Sequence, residues 1–266
     1  MPPENITSLN NPKVKSLVRL RDRRAREESG LTVIDGTREI SLALESGAKI
    51  TELFVCRDFW QMQGEEDIVH KLFALKSPVY ETSPAVFKKI AFGERQEGLL
   101  AVCQVPTYTF ERLMDKKGSL YVVVDRVEKP GNLGAILRSC DAAGVDGVFV
   151  SDGKTDIYNP NVIRASIGTV FGLNIVSAES QPIADFLNKQ NIRIISAEPQ
   201  ARLTYSQIDW KGKVAIVVGS EQQGVSPFWH EQAGSRVRIP MLGKADSLNV
   251  SVATALLLYE AVRARQ

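Results

Sequence analysis

Three short stretches carry the side chains able to do chemistry. The first runs from Asp125 to Gly144 and contains Gly131-Asn-Leu-Gly134 and Arg138. The second is Val217-Val-Gly-Ser-Glu-Gln-Gln-Gly-Val-Ser226, and the third runs from Arg238 to Ala253. On a helix beginning near Asn132, Arg138 shares a face with Gly134 and Ala135, whose small size lets its stem lie back toward the helix N-terminus. In the third stretch Pro240 ends a strand and Gly243 closes a loop. Asp246 and Ser247 are N-cap types in front of a helix expected over 248–264. Ser247, Asn249 and Ser251 then sit where a helix has free N–H groups and a positive dipole end. That is a place for a polar ligand, and equally the start of a capped C-terminal core helix. Each stretch follows an expected strand, so in a parallel sheet all three converge at the carboxyl ends, where ligands are usually bound. Gly219, Gly224 and Gly243 either allow a backbone to approach a ligand closely or, the commoner case for any one of them, serve only as turn glycines.

Several chemistries lack material. The first turn does not have the G-x-G-x-x-G spacing of a dinucleotide fold, and the second is not followed by the Lys and Ser or Thr of a phosphate loop. His70 and His230 are the only histidines, and with Cys56, Cys103 and Cys140 widely spaced there is no Ser-His-Asp relay, no disulfide framework and no metal site to assign.

In order and spacing the three stretches resemble the motifs of the SpoU or TrmH branch of the SPOUT RNA methyltransferases. The resemblance covers the C-terminal half and, more loosely, the N-terminal half. It implies S-adenosylmethionine-dependent methylation of a ribose 2′-hydroxyl in structured RNA, rRNA ahead of tRNA. A non-catalytic RNA-binding protein of the same fold is the alternative. The implied architecture is α/β: a C-terminal parallel-sheet domain with a deep trefoil knot, and a smaller N-terminal α/β RNA-binding domain similar to ribosomal-protein folds. Backbone near Gly219, Ile239 and Leu248 is implied to hold the adenosine part of the cofactor, with Met241 and Gly224 alongside. Asn132, Arg138, Glu221, Ser247 and Asn249 form the implied acceptor and catalytic set. Arg138 matches the arginine assigned in the family to activating the hydroxyl. Guanidinium normally stays protonated, so besides acting as base Arg138 has a second reading, binding the flanking phosphate and stabilising the developing alkoxide, and the sequence leaves both open. The family also works as homodimers, for which the apolar helix over 250–262 is a suitable interface. Asp35 stands where the family more often has Glu.

A chain of 266 residues, 44% hydrophobic, can bury a substantial core. With 33 Lys+Arg against 31 Asp+Glu the net charge is only +2, so attraction to nucleic acid must come from local clusters. One such cluster is Lys13, Lys15, Arg19, Arg21, Arg23, Arg24 and Arg26, expected on a single helix from Pro12 to about Glu28. The N-terminus has no signal-type apolar core and no uncharged run reaches spanning length, which suits a cytoplasmic protein.

Strands are expected over 31–35, 50–56, 79–82, 99–105, 120–124, 147–150, 173–176, 192–197 and 214–218, with helices over 37–46, 67–75, 84–91, 133–143, 161–166 and 183–189. These elements divide the chain into 1–105, a connection over 106–118, and 119–266, and the resemblance implies that the first part binds substrate RNA and the last transfers the methyl group. The polar loop 91–98, Asn159 and Arg164 are further candidates for RNA contact.

Overall fold

The computed structural model describes residues 4–60, 64–93, 97–107, 109–114 and 119–266. Residues 108 and 115–118 of the expected connection, and 94–96 of the polar loop, lie outside the described residues. Contacts divide the chain into two units, 1–106 with 157–172, and 107–156 with 173–266. The segment 157–172, part of the second domain by sequence, thus clusters with the first unit.

In the first unit the order is β1 (Glu4–Ile6), α1 (Pro12–Arg19), α2 (Arg23–Ser29), β2 (Leu31–Asp35), α3 (Thr37–Glu45), β3 (Ile50–Val55), α4 (Glu65–Ala74), β4 (Val79–Thr82), α5 (Pro84–Ile90) and β5 (Leu99–Gln104). The sheet order is β1-β4-β3-β5-β2. β5 runs antiparallel to both β3 and β2, while β1 and β3 pair with β4 in parallel. Val14 and Leu17 of α1 close a core of Val33, Phe54, Phe87, Leu100 and Val102.

The single basic helix expected from Pro12 is two helices. The Asp22 side chain accepts the Ala25 N–H at 3.3 Å and so caps a new start, the kind of signal that ends one helix and opens another. Its positive face is also largely committed within the unit. Lys13 pairs with Glu52 at 2.8 Å, Arg21 donates to the carbonyls of Lys89 and Ala91, and Arg23 and Arg24 pair with Glu27 and Glu28. Arg26 is buried and donates to the carbonyls of Leu20 and Arg21. Lys15 and Arg19 remain exposed.

The second unit begins with α6 (Glu111–Met114), whose Leu113 is buried, then β6 (Leu120–Asp125), α7 (Pro130–Ala142) and β7 (Gly147–Ser151). After α8 (Pro160–Ala165), which belongs to the first unit, come β8 (Ile175–Ala178), α9 (Ser180–Lys189), β9 (Arg193–Ala197), β10 (Leu203–Thr204), β11 (Val214–Val218), α10 (Pro227–Gln232), β12 (Ser235–Arg238) and α11 (Val250–Arg263). Every pairing in the sheet β10-β12-β9-β11-β6-β7-β8 is parallel. This suits the continuous apolar runs of β6 and β11, which are buried on both faces. Phe149, Phe186, Val217 and Trp229 anchor the core. The last helix starts later than expected: Asn249, not Asp246 or Ser247, is its N-cap, and Leu248 lies outside it.

Candidate active site

Because the sheet is parallel, the carboxyl ends of β9, β11 and β12 lie side by side, next to the turn that leads from β6 into α7. A cavity of about 620 Å³ opens there. It takes in Asn132, Glu221, Ser247 and Asn249, together with Gly219, Gly224, Ile239, Met241 and Leu248. The segments that sequence alone placed at one end of a sheet therefore surround one space. Arg138 is the exception, since it is exposed on α7 and does not line the cavity.

One wall is the turn after β11. Ser220 and Gly224 exchange backbone hydrogen bonds of 3.0 and 2.9 Å, and Gly224 has φ +67°, a region open to glycine at little cost. A Cβ on Gly219 would lie 2.0 Å from the Gly224 carbonyl carbon and 2.1 Å from the Val225 nitrogen. The chain's own return is thus enough to require glycine at 219, whether or not a ligand also approaches that backbone. Gly243 has open space around its Cβ position, so nothing in the fold demands glycine there.

Asp125, at the end of β6, fastens this turn: its Oδ2 accepts the Ser226 N–H at 2.7 Å. The carboxyl is fully buried, and burial raises its pKa against the opposing pull of the Ser226 N–H and Arg126.

A second set of bonds joins the three stretches. Asn249 Oδ1 accepts from the backbone N–H and the hydroxyl of Ser251, at 2.9 and 2.7 Å. With its oxygen so engaged, the Asn249 amide nitrogen donates to Asn132 Oδ1 at 3.1 Å, and Asn132 Nδ2 donates to Glu221 Oε1 at 2.5 Å. Each amide is oriented by its neighbour, so the row Asn249, Asn132, Glu221 presents defined donors and acceptors. Ser247 donates to Asp246 Oδ1 at 3.1 Å within the exposed loop before α11.

Asn159 and Arg164 both bond within the first unit. Asn159 caps α8 by accepting the Asn161 N–H at 2.9 Å, and Arg164 donates to the Phe92 carbonyl at 2.8 Å. Asp125, Lys129, Glu198 and Arg238 were not singled out from sequence, and the last three line the cavity. For Asp125 and Glu198 the signal was available: an acid directly at or after an apolar parallel strand stands at the ligand-binding end of the sheet. Among the described residues no group of His, Cys, Asp and Glu is arranged to hold a metal ion.

Residues 119–259 match the SpoU rRNA Methylase family, and 11–101 match the MRM3-like substrate binding domain. A relative from Bacillus subtilis (strain 168), the 23S rRNA (guanosine(2553)-2′-O)-methyltransferase RlmP, is 28% identical over 96% of this chain and 98% of its own. A solved structure of an RNA 2′-O ribose methyltransferase is 40% identical, with TM-score 0.86 over 98% of this chain and 99% of that one. That of an AdoMet-bound rRNA methyltransferase from Sinorhizobium meliloti is 29% identical, with TM-score 0.88 over 98% and 97%.

Proposed function

This chain belongs to the SpoU rRNA methylase family, and we propose that the cavity at the carboxyl ends of β9, β11 and β12 is where it methylates a ribose 2′-hydroxyl of rRNA. It is an RNA 2′-O-methyltransferase, and its cofactor is S-adenosylmethionine. The observation that carries the assignment of the site is the hydrogen-bonded row Asn249, Asn132, Glu221, which unites three stretches far apart in sequence on the wall of one cavity. The cavity also fits the cofactor. Its volume lies in the range of about 300–1,000 Å³ that holds ligands of this size. Its lining mixes apolar groups such as Ile239, Met241 and Leu248 with carboxylates and amides suited to a cationic, hydroxyl-bearing molecule.

S-adenosylmethionine supplies an electrophilic methyl group on a sulfonium. The protein's part is alignment, the term that dominates when no covalent intermediate is needed. Backbone at Gly219, Ile239 and Leu248, flanked by Gly224 and Met241, holds the adenosine side. Asn132, with its amide fixed by Glu221 and Asn249, positions the acceptor sugar, and Ser247 completes that side. Arg138, exposed on α7 outside the cavity lining, is open to an RNA phosphate, and its positive charge would hold the acceptor strand against the cavity. The first unit, with exposed Lys15 and Arg19, is the RNA-gripping part, of the kind seen among ribosomal proteins.

The chain passes from β12 through an exposed loop to α11, which packs against α7 and β11, and we take this return as the closing of a deep trefoil knot. On α11, Val252, Leu256 and Tyr259 are 48%, 42% and 52% exposed at helical spacing, while Thr254, Leu257, Leu258 and Ala261 are buried. That outward apolar stripe is the proposed homodimer surface.

Calorimetric titration of the purified protein with S-adenosylmethionine should give saturable binding, whereas no heat would reduce it to an RNA-binding protein. Arg138→Ala should abolish methylation and leave cofactor affinity within about twofold, since the arginine does not line the cavity. Normal turnover in that variant would remove Arg138 from the mechanism.

A further inference from the structure

Glu198 follows β9 directly and lines the cavity, yet it takes no part in the Asn249, Asn132, Glu221 row. Its side chain is 16% exposed and is held from two sides. Oε1 accepts from the Ser196 hydroxyl at 2.5 Å, and Oε2 lies 2.8 Å from His230 Nδ1. The far side of that ring, Nε2, contacts the Arg236 guanidinium. Arginine has donors only, so Nε2 must accept, and the ring is left presenting Nδ1–H to Glu198. A serine, a histidine and an arginine are thus spent on fixing one carboxylate, an arrangement that stability at a strand end does not require. A carboxylate has about four acceptor positions, so two donors from the protein leave capacity for a ligand's donors.

The sheet order says which end of the ligand this is. β9 lies between β12 and β11, and Asn132, which positions the acceptor sugar, follows β6 on the far side of β11. Two strand spacings, about 10 Å, separate β9 from β6. The neighbours of Glu198 are instead the ends of β11 and β12, at Val218, Gly219 and Ile239, where the adenosine side is placed above. We propose that Glu198 accepts hydrogen bonds from the 2′,3′-diol of the cofactor's own ribose, with His230 as a positioning residue that holds the carboxylate in place. The same pairing of a strand-end acid with a ribose hydroxyl recurs in nucleotide-binding α/β sheets. The inference depends on the reading of the cavity as the S-adenosylmethionine site.

The test is calorimetric binding of three probes to the full-length chain: S-adenosylmethionine, 5′-methylthioadenosine, which keeps the diol but lacks the amino-acid end, and 2′,3′-dideoxy-5′-methylthioadenosine. Glu198→Gln should weaken the first two by a similar factor, roughly ten- to a hundredfold, the range of a hydrogen bond to a charged group. It should also erase the wild-type preference for methylthioadenosine over its dideoxy form. His230→Ala, outside the cavity lining, should give a smaller loss of the same pattern, about three- to tenfold. Affinities within twofold of wild type in both variants would overturn the assignment and leave the cavity reading intact. A loss for S-adenosylmethionine alone would also overturn it, by moving Glu198 to the amino-acid end. A wild-type protein that bound neither natural probe would overturn the cavity reading itself.

Discussion

Asp35 in the first unit and Asp125 in the second do the same job in different settings. Each is the last residue of a strand, β2 or β6, and each is followed by a residue with positive φ, Gly36 at +119° and Arg126 at +53°. Each buries its carboxylate to accept one backbone N–H from a remote loop, Phe92 at 2.6 Å and Ser226 at 2.7 Å. The surroundings differ. Burial pushes the Asp35 carboxyl up to about 7, with Glu97 and Glu39 adding to the rise and the Phe92 N–H and Arg164 opposing it. Asp125 has Arg126 Nε at 3.3 Å and a turn beyond it that forms one wall of the cavity. One device, a strand-end aspartate gripping a loop, serves local folding in the first unit and shapes the ligand site in the second. The lesson is that the cavity wall is built by the fold itself, before any ligand arrives.

The strongest way to break this picture is to open the wall directly. In Gly219→Ala the new methyl would overlap the backbone at Gly224 and Val225, so the turn must unfold. Calorimetry should then show cofactor affinity falling by more than about a hundredfold, comparable to losing a binding loop. Retained affinity would mean that the turn does not form the site.

The next effect separates the two aspartates. Asp125→Ala leaves the buried Ser226 N–H without its partner, a cost of about 1–3 kcal/mol, and cofactor affinity should drop roughly tenfold. Asp35→Ala removes the matching bond in the first unit and should leave cofactor affinity unchanged while lowering the urea midpoint. Equal effects on affinity would erase the distinction between the anchors.

The pH dependence sharpens the comparison further. The folded-state pKa of Asp35 is raised from the ordinary 3.8 to about 7, so the folded chain holds a proton that the unfolded chain has released between those values. The stability gained from that proton is complete below 3.8 and is lost as pH rises through 7. Its size is at most about 4 kcal/mol. Asp35→Asn keeps an acceptor for Phe92, so its urea midpoint should decline less than that of wild type between pH 4 and 8. Parallel profiles would remove Asp35 from the titration.

Smallest of all should be Gly243→Ala, where the added methyl meets nothing within 4 Å and φ is not in the left-handed region. Unchanged affinity is expected, and a large loss would restore the idea that a ligand's backbone approach dictates this glycine.

Much of the fold was legible in the sequence because apolar runs bounded by turn residues leave few choices. Val79–Thr82 and Val214–Val218 have the ends their patterns imply. The basic helix misled because its arginines run on without an obvious break, and only the cap made by Asp22 reveals the second start. At the last helix Asp246, Ser247 and Asn249 are all capping types, and choosing Asn249 took its bonds to Ser251. β1 is three residues long and pairs in parallel with distant β4, leaving no local period to read. The polar row of the site was legible as residue types in three stretches, but not as bonds, because Asn132, Glu221 and Asn249 meet only through the order of β6, β11 and β12. The place of Glu198 after β9 was legible, but its fixing by His230 and Ser196 was not, because sequence does not bring the three together.

The most direct measurement is nucleoside mass spectrometry of rRNA incubated with the purified protein and S-adenosylmethionine carrying an isotopically labelled methyl group. The account predicts label on a ribose 2′-oxygen, present with the wild-type chain and absent with Arg138→Ala. Label on a base, or no label in rRNA although the cofactor binds, would contradict it.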